Sequence, residues 1–178
     1  MTDEEFKHLW DLRHTLLFTA RVSVVYHRKR ERFFDLLDKW SKAATVLAGS
    51  ALWAQAIKDH LPPLSIFITS LGLLSLVFGY GDRKQTHREM AIAFTGLIAD
   101  VEKAGTTDFT PEQVSEWSAN LYKLSAKEPP QLYALVTLCE NEVKTAFDRS
   151  ISVVGVPWYQ RKLANWFSFD NCIKPNPT

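Results

Sequence analysis

The sequence predicts an all-α fold, in which a transmembrane helical hairpin carries long flanking helices that extend into a cytoplasmic helical bundle. Three observations predict it. No charged side chain occurs from Leu61 to Gly81, dense charge flanks this stretch, and apolar residues elsewhere recur every three to four positions. About 20 apolar residues, rising 1.5 Å each, span the ~30 Å hydrocarbon core of a bilayer.

The chain divides into four predicted parts. Residues 1–42 are expected to form a long cytoplasmic and juxtamembrane helix, and residues 43–81 the hairpin. Residues 82–150 are expected to form cytoplasmic helices, and residues 151–178 a C-terminal amphipathic helix and tail. No signal peptide is expected, because the first ten residues are acidic and mixed.

The hairpin has a short first span, 43–57, which lies between Lys42 and Lys58. This span crosses a bilayer if both lysines extend along the helix to the interface. The alternative is a hairpin buried in a soluble four-helix bundle, which the slightly negative mean hydropathy favours. The concentration of apolar residues in one stretch favours the membrane, because a buried hairpin needs apolar partners on every face.

Basic and aromatic residues on both sides of the hairpin are predicted to anchor it at the membrane interface. The positive-inside rule then places both termini in the cytoplasm, and Trp40 and Tyr80 are expected at one depth. The predicted anchors are His27, Arg28, Arg30, Arg32, Trp40, Arg83, Lys84, His87 and Arg88.

Small and polar residues recur along the faces of the two spans. Such residues let helices approach closely in lipid, and they equally suit the lining of a narrow wet path. Both interpretations stay open, and an oligomer around a pore would satisfy both. The predicted pore or helix-contact face comprises Ser65, Thr69, Gly72, Ser75, Gly79, Gly49 and Gln55.

The first flanking helix is predicted over 3–42, because this stretch lacks Gly and Pro and begins with acidic residues that suit the helix dipole. A second helix is predicted over 82–104, and the two should pack through their apolar stripes. The stripe on the first helix is Leu9, Leu12, Leu16, Ala20 and Val24. The stripe on the second is Met90, Ala91, Phe94, Leu97, Ile98 and Val101.

Three shorter helices are predicted after residue 105. Thr110 and Gln113 form a capping box, with Pro111 at the first helical position of a helix to about Ser125. The next helix covers 131–147, with Cys139 facing inward. The last begins at Pro157 and carries an apolar side with cations beside it, so it either lies in the membrane interface or docks on the helical core.

No catalytic, cofactor or metal site is expected. The sequence lacks a phosphate-binding glycine loop, HExxH, GxSxG and paired Cys/His spacing, so the chain is not expected to be an enzyme. Metal binding by His27 and His87 is disfavoured by the cations beside them. A net charge of +1 gives no field that would attract nucleic acid.

The order of motifs around the hairpin resembles the SLATT family, the two-transmembrane effector domains associated with SMODS nucleotidyltransferases and SLOG sensors. The matching segments are the run YHRKRERFF from Tyr26, the span VLAGSA from Val46, the sequence VFGY before a basic helix with HREMAIAF from His87, and LCENEV from Leu138. The resemblance covers roughly residues 10 to 150.

The resemblance implies a membrane pore in a bacterial conflict system, located in the bacterial inner membrane and opened by a nucleotide signal or infection. The expected partners are membrane lipids, further copies of the chain, and a separate sensor or synthetase. The alternative is a membrane-anchored adaptor or structural protein with a cytoplasmic helical docking bundle.

Overall fold

The computed structural model describes residues 2–48, 70, 72–73, 79–147 and 151–169. Within these ranges the regular secondary structure is entirely α-helical, which confirms the all-α class. The helices are α1 (Asp3–Ala48), α2 (Tyr80–Lys103), α3 (Pro111–Ser125), α4 (Tyr133–Phe147) and α5 (Trp158–Leu163). The chain forms two compact units. Unit 1 comprises residues 1–28 and 88–178, and unit 2 comprises Lys29–His87.

Helix α1 is described over 46 residues, Asp3–Ala48, and extends beyond the predicted Lys42 into the first residues of the predicted span. Its start is fixed by a reciprocal cap. The backbone N–H of Glu5 donates to the Thr2 hydroxyl at 3.3 Å, and the backbone N–H of Thr2 donates to the Glu5 carboxylate at 2.8 Å. The absence of Gly and Pro from this segment lets the helix continue without a break.

The first apolar cluster of unit 1 packs α1, α2 and α3 together. It includes members of both predicted stripes, which confirms that the first two helices pack through them. Burial of each large side chain contributes about 1.5–3 kcal/mol. The buried members are Leu16, Leu17, Ala20, Met90, Phe94, Leu97, Val101, Phe109, Val114 and Trp117.

One position of the predicted α1 stripe is wrong. Leu12 is exposed, and the buried residue next to it is Arg13. The guanidinium of Arg13 donates to the carbonyl of Val101 at 3.4 Å, lies 3.6 Å from the Glu102 carboxylate, and stands over the Phe109 ring at 5.6 Å. A cation is favourable there because the last carbonyls of α2 carry the negative end of its dipole.

The second apolar cluster of unit 1 joins α1, α4 and the segment after α5. The Tyr26 hydroxyl accepts a hydrogen bond from the backbone N–H of Leu132 at 3.1 Å, just before α4 begins. The predicted inward position of Cys139 is confirmed, since its side chain is fully buried. The buried members are Val22, Tyr26, Ala134, Leu135, Cys139, Val143 and Ala164.

Helix α3 begins with the predicted capping box. The Gln113 backbone N–H donates to the Thr110 hydroxyl at 3.3 Å, and the Thr110 backbone N–H donates to the Gln113 side chain at 2.9 Å. Pro111 occupies the first helical position, where a backbone N–H is not needed.

The predicted hairpin, 43–81, lies mostly outside the described residues. Within the part of the chain that is described, no helix combines the length and the apolar character needed to cross a membrane. The first span is described only as far as Ala48, and the second only at residues 70, 72–73 and 79–81.

Candidate functional site

Several of the predicted anchor residues surround the buried ring of Phe34 in unit 2. The rings of His87 and Tyr80 stack on Phe34 with centroids 5.6 and 6.5 Å away. The guanidinium groups of Arg30 and Arg83 stand 4.5 and 5.9 Å from the same ring centroid. Each cation–π contact contributes about 0.5–1 kcal/mol at a partly exposed site. We call these five residues the Phe34 cluster.

An ion-pair group lies beside the Phe34 cluster and is centred on Asp35. Its carboxylate accepts hydrogen bonds from the ammonium of Lys39 at 2.6 Å and from that of Lys84 at 3.2 Å. These hydrogen bonds, that from Lys39 first, hold the pKa of Asp35 below its ordinary value. The same contact raises the pKa of Lys39. The carboxylate is therefore ionised at neutral pH and joins the two helices.

The two groups join α1 to α2 on the two sides of the predicted hairpin. Phe34 lies on α1, whereas Tyr80 and Arg83 lie in the first turns of α2. The Phe34 cluster therefore contains residues on both sides of the segment 36–79. Tyr80 stacks on Phe34, which lies six residues before Trp40 in the sequence. The prediction that Trp40 and Tyr80 lie at one membrane depth stays a prediction.

The predicted anchors differ in the solvent exposure of their side chains. The side chains of Arg28, Arg32, Trp40 and Arg88 are exposed, and Trp40 is exposed over 72% of its surface. Such side chains have the accessibility that contact with lipid headgroups requires. Lys84, in contrast, is held within unit 2 by Asp35.

His27 lies in the core of unit 1, with 0% of its surface exposed. Its Nε2 is 3.1 Å from a carboxylate oxygen of Glu128, and its ring stacks on Phe94 at 5.9 Å and meets Tyr26 edge-on at 5.4 Å. The carboxylate of Glu128 also accepts a hydrogen bond from Gln131. The prediction of His27 as an interface anchor is corrected here, because these partners enclose the ring.

His87 is also almost fully buried, and its surroundings are aromatic. The ring lies nearly parallel to that of Phe34, with an interplanar angle of 13°. Within unit 2 this histidine therefore packs between helices.

The predicted pore or helix-contact face is described at two positions only. Gly72 is helical, and a Cβ placed on it would meet no described atom within 4 Å. Gly79 has φ +53°, and its carbonyl accepts from the backbone N–H of Arg83 at 3.0 Å, so it forms the turn that precedes α2. The remaining members lie outside the described residues, and they are Ser65, Thr69, Ser75, Gly49 and Gln55.

Asp35 and Glu128 were not predicted as partners of the anchors. For Asp35 a signal existed, because Lys39 follows it by four residues and helical neighbours at this spacing form ion pairs. Glu128 lies 101 residues from His27, and no local pattern relates residues so far apart.

The described residues contain no group of three or more His, Cys, Asp or Glu side chains arranged to hold a metal ion. The Phe34 cluster combines cations with aromatic rings. Such a surface can attract anions and can pack against other apolar groups. Comparison with known proteins gives no match: no family model matches the chain, and no curated protein or solved structure is significantly similar.

Proposed function

We propose that this chain is a membrane-embedded effector that oligomerises to form a pore, or otherwise perturbs the bacterial inner membrane, in a conflict system of the abortive-infection type. The observation that carries the proposal is the joining of α1 to α2 by the Phe34 cluster, on the two sides of the apolar stretch. A stretch whose flanking helices contact each other suits a hairpin with both ends on one side of a bilayer.

Charge supports the same proposal. The stretch from Leu61 to Gly81 has no charged residue, whereas the described ends of unit 2 carry more cations than carboxylates. Exposed Arg32 and the exposed ring of Trp40 provide the mixture of cation and aromatic side chain that is enriched at membrane interfaces.

Pore formation requires several copies of the chain. Two membrane-spanning helices satisfy all their backbone hydrogen bonds internally and enclose no channel by themselves. Small residues on the face that includes Gly72 would allow close approach between copies. Because no described atom lies within 4 Å of a Cβ added at Gly72, a larger side chain there is expected to obstruct contact with another copy.

The first test follows membrane potential and location in a bacterium that produces the full chain. We expect the wild-type chain in the membrane fraction together with depolarisation measured by a potential-sensitive dye. Gly72→Leu should stay in the membrane fraction while depolarisation falls to the level of cells without the protein, and crosslinked oligomers should disappear.

Gly96→Leu is the matched control. Gly96 is also a helical glycine whose added Cβ would meet no described atom within 4 Å, but it lies outside the predicted spans. This variant should depolarise cells as the wild type does. Full assembly and depolarisation by Gly72→Leu would exclude the proposed contact face. Membrane location with intact potential for the wild type would favour the adaptor, and recovery as a detergent-free monomer would exclude the hairpin.

A further inference from the structure

The segment 151–169, which follows α4, is held against α4 by hydrogen bonds. The Asn141 side chain donates to the carbonyl of Val154 at 2.7 Å and accepts from its backbone N–H at 3.0 Å. Ser168 accepts hydrogen bonds from the first two backbone N–H groups of α4, at Tyr133 through its hydroxyl at 3.0 Å and at Ala134 through its carbonyl at 2.9 Å. These hydrogen bonds fix the position of the segment on α4, so the fold determines which of its side chains are exposed.

This docking leaves an aromatic surface that is exposed at Trp158, Tyr159 and Phe167 and is connected through Phe169, which is half-buried against the second apolar cluster. Gln160 and Ala164 point into unit 1 and are fully or almost fully buried, whereas Trp158 is 72% exposed and Phe167 is 59% exposed. Neighbouring rings contact one another in a chain, with centroids 6.0 to 6.3 Å apart. The C-terminal aromatic patch consists of Trp158, Tyr159, Phe167 and Phe169.

The charged side chains in the described part of this segment, 151–169, are both cations, Arg161 and Lys162. The ammonium of Lys162 stands 5.6 Å from the ring centroid of Trp158, so cation and aromatic surface are adjacent. Indole and phenol rings favour the headgroup level of a bilayer, and nearby cations favour anionic lipids.

We propose that the C-terminal aromatic patch binds the headgroup region of an anionic bilayer, as a peripheral membrane contact additional to the hairpin. An exposed apolar surface on a folded unit indicates a partner, and the positive charge beside it selects a negatively charged one. The sequence left two interpretations open for this segment, docking on the helical core and contact with the membrane interface. Under this proposal both apply, because one side of the segment docks on the core and the other contacts lipid. The inference deepens the proposed function but does not require the hairpin to span.

The test measures whether the patch enters lipid in the full chain. A spin label is attached at Phe167→Cys in a Cys172→Ser background, in which the remaining Cys139 is fully buried. Collisions with oxygen, which concentrates in lipid, and with a water-soluble nickel chelate are compared in phosphatidylcholine vesicles with and without phosphatidylglycerol. We expect oxygen access to rise and nickel access to fall with phosphatidylglycerol. A label at Trp158→Cys should give the same result.

Tyr122→Cys is the matched control, because Tyr122 is a 74% exposed aromatic residue on α3 of the same unit. Its label should remain accessible to nickel in both vesicles. Replacing Arg161 or Lys162 by Gln should lower the ratio of lipid-exposed to water-exposed label at position 167 by roughly fivefold each.

Two outcomes would overturn the inference. One is a label at position 167 that stays accessible to nickel in anionic vesicles. The other is a label at position 167 that is inaccessible to both oxygen and nickel and shows dipolar broadening between two chains, which would identify a second copy as the occupant. The failures of the two proposals are distinguishable. An integral protein with a water-exposed patch contradicts this inference alone, and a peripheral protein with a lipid-exposed patch contradicts the hairpin alone.

Discussion

At the scale of single residues, the polar side chains of the two units differ in how well their hydrogen-bonding groups are satisfied. Asp35 has two cations at its carboxylate, and His27 has Glu128. Gln160 is fully buried, and neither its amide nitrogen nor its amide oxygen has a hydrogen-bond partner among the residues that the structure describes. A buried polar group without a partner costs about 1–3 kcal/mol.

Replacing Gln160 by Leu should therefore stabilise the fold by about 1–3 kcal/mol, because the volume is similar and the desolvation cost of the amide disappears. Chemical unfolding of the two proteins, in the same detergent or lipid, measures the difference. Asn120→Leu on α3 makes the same exchange of amide for apolar side chain at a half-buried position and should change stability far less. Destabilisation by Gln160→Leu would contradict this prediction and would show that the Gln160 amide contributes to the stability of the fold.

Asp35 should make the stability of unit 2 depend on acid pH. Its pKa in the folded protein lies below the ordinary 3.8, so its contribution is fully present above that value and is lost as the pH falls through the lowered pKa. In Asp35→Asn this loss on acidification should be absent. Thermal unfolding at a series of pH values below about 5 measures it.

The matched control is Asp11→Asn, which changes an exposed carboxylate of unit 1 and should keep the wild-type dependence on pH. Identical profiles for the wild type and Asp35→Asn would contradict the ion-pair assignment.

At the scale of elements, helix ends show how local chemistry sets boundaries. Both α1 and α3 begin at a threonine whose hydroxyl and backbone N–H are reciprocally bonded to a residue three positions later. Helix α2 is preceded instead by Gly79, which has a positive φ. The start of α3 agrees with the capping box predicted from the sequence, because the interacting groups are only three residues apart.

Loss of the α3 cap should destabilise unit 1. In Thr110→Ala the backbone N–H of Gln113 loses its acceptor, so we expect the free energy of unfolding to fall by about 0.5–2 kcal/mol. Thr107→Ala is the control, since Thr107 is exposed in the preceding loop, where its hydroxyl contacts Asp108. Hydrogen exchange of the α3 amides locates the effect. Equal protection in Thr110→Ala and the wild type would show that the cap contributes little.

At the scale of the whole molecule, the two compact units carry different features. Unit 1 contains both apolar clusters and the C-terminal aromatic patch, whereas unit 2 contains the Phe34 cluster and the described ends of the apolar stretch. The two proposed membrane contacts therefore belong to different units. Each can be removed by substitutions that leave the other unit's core untouched.

Much of the architecture was readable from local patterns. The all-α class, the packing of the α1 and α2 stripes and the inward position of Cys139 follow from apolar residues at helical spacing. The α3 cap follows from Thr110, Pro111 and Gln113. The hairpin and its orientation, predicted from the charge-free stretch and its basic flanks, stay predictions.

Only the tertiary structure decided which side chains are buried in the core. Arg13 rather than Leu12 is buried, because the end of α2 provides a carbonyl and a carboxylate that its guanidinium contacts. His27 is buried because Glu128, in a loop distant in the sequence, contacts its ring. The same holds for the last segment, where Gln160 faces the core while its neighbours face outward. Periodicity specifies that a residue lies on a face. Partners distant in the sequence determine whether that face is covered, because burial and pairing depend on contacts that no local spacing encodes.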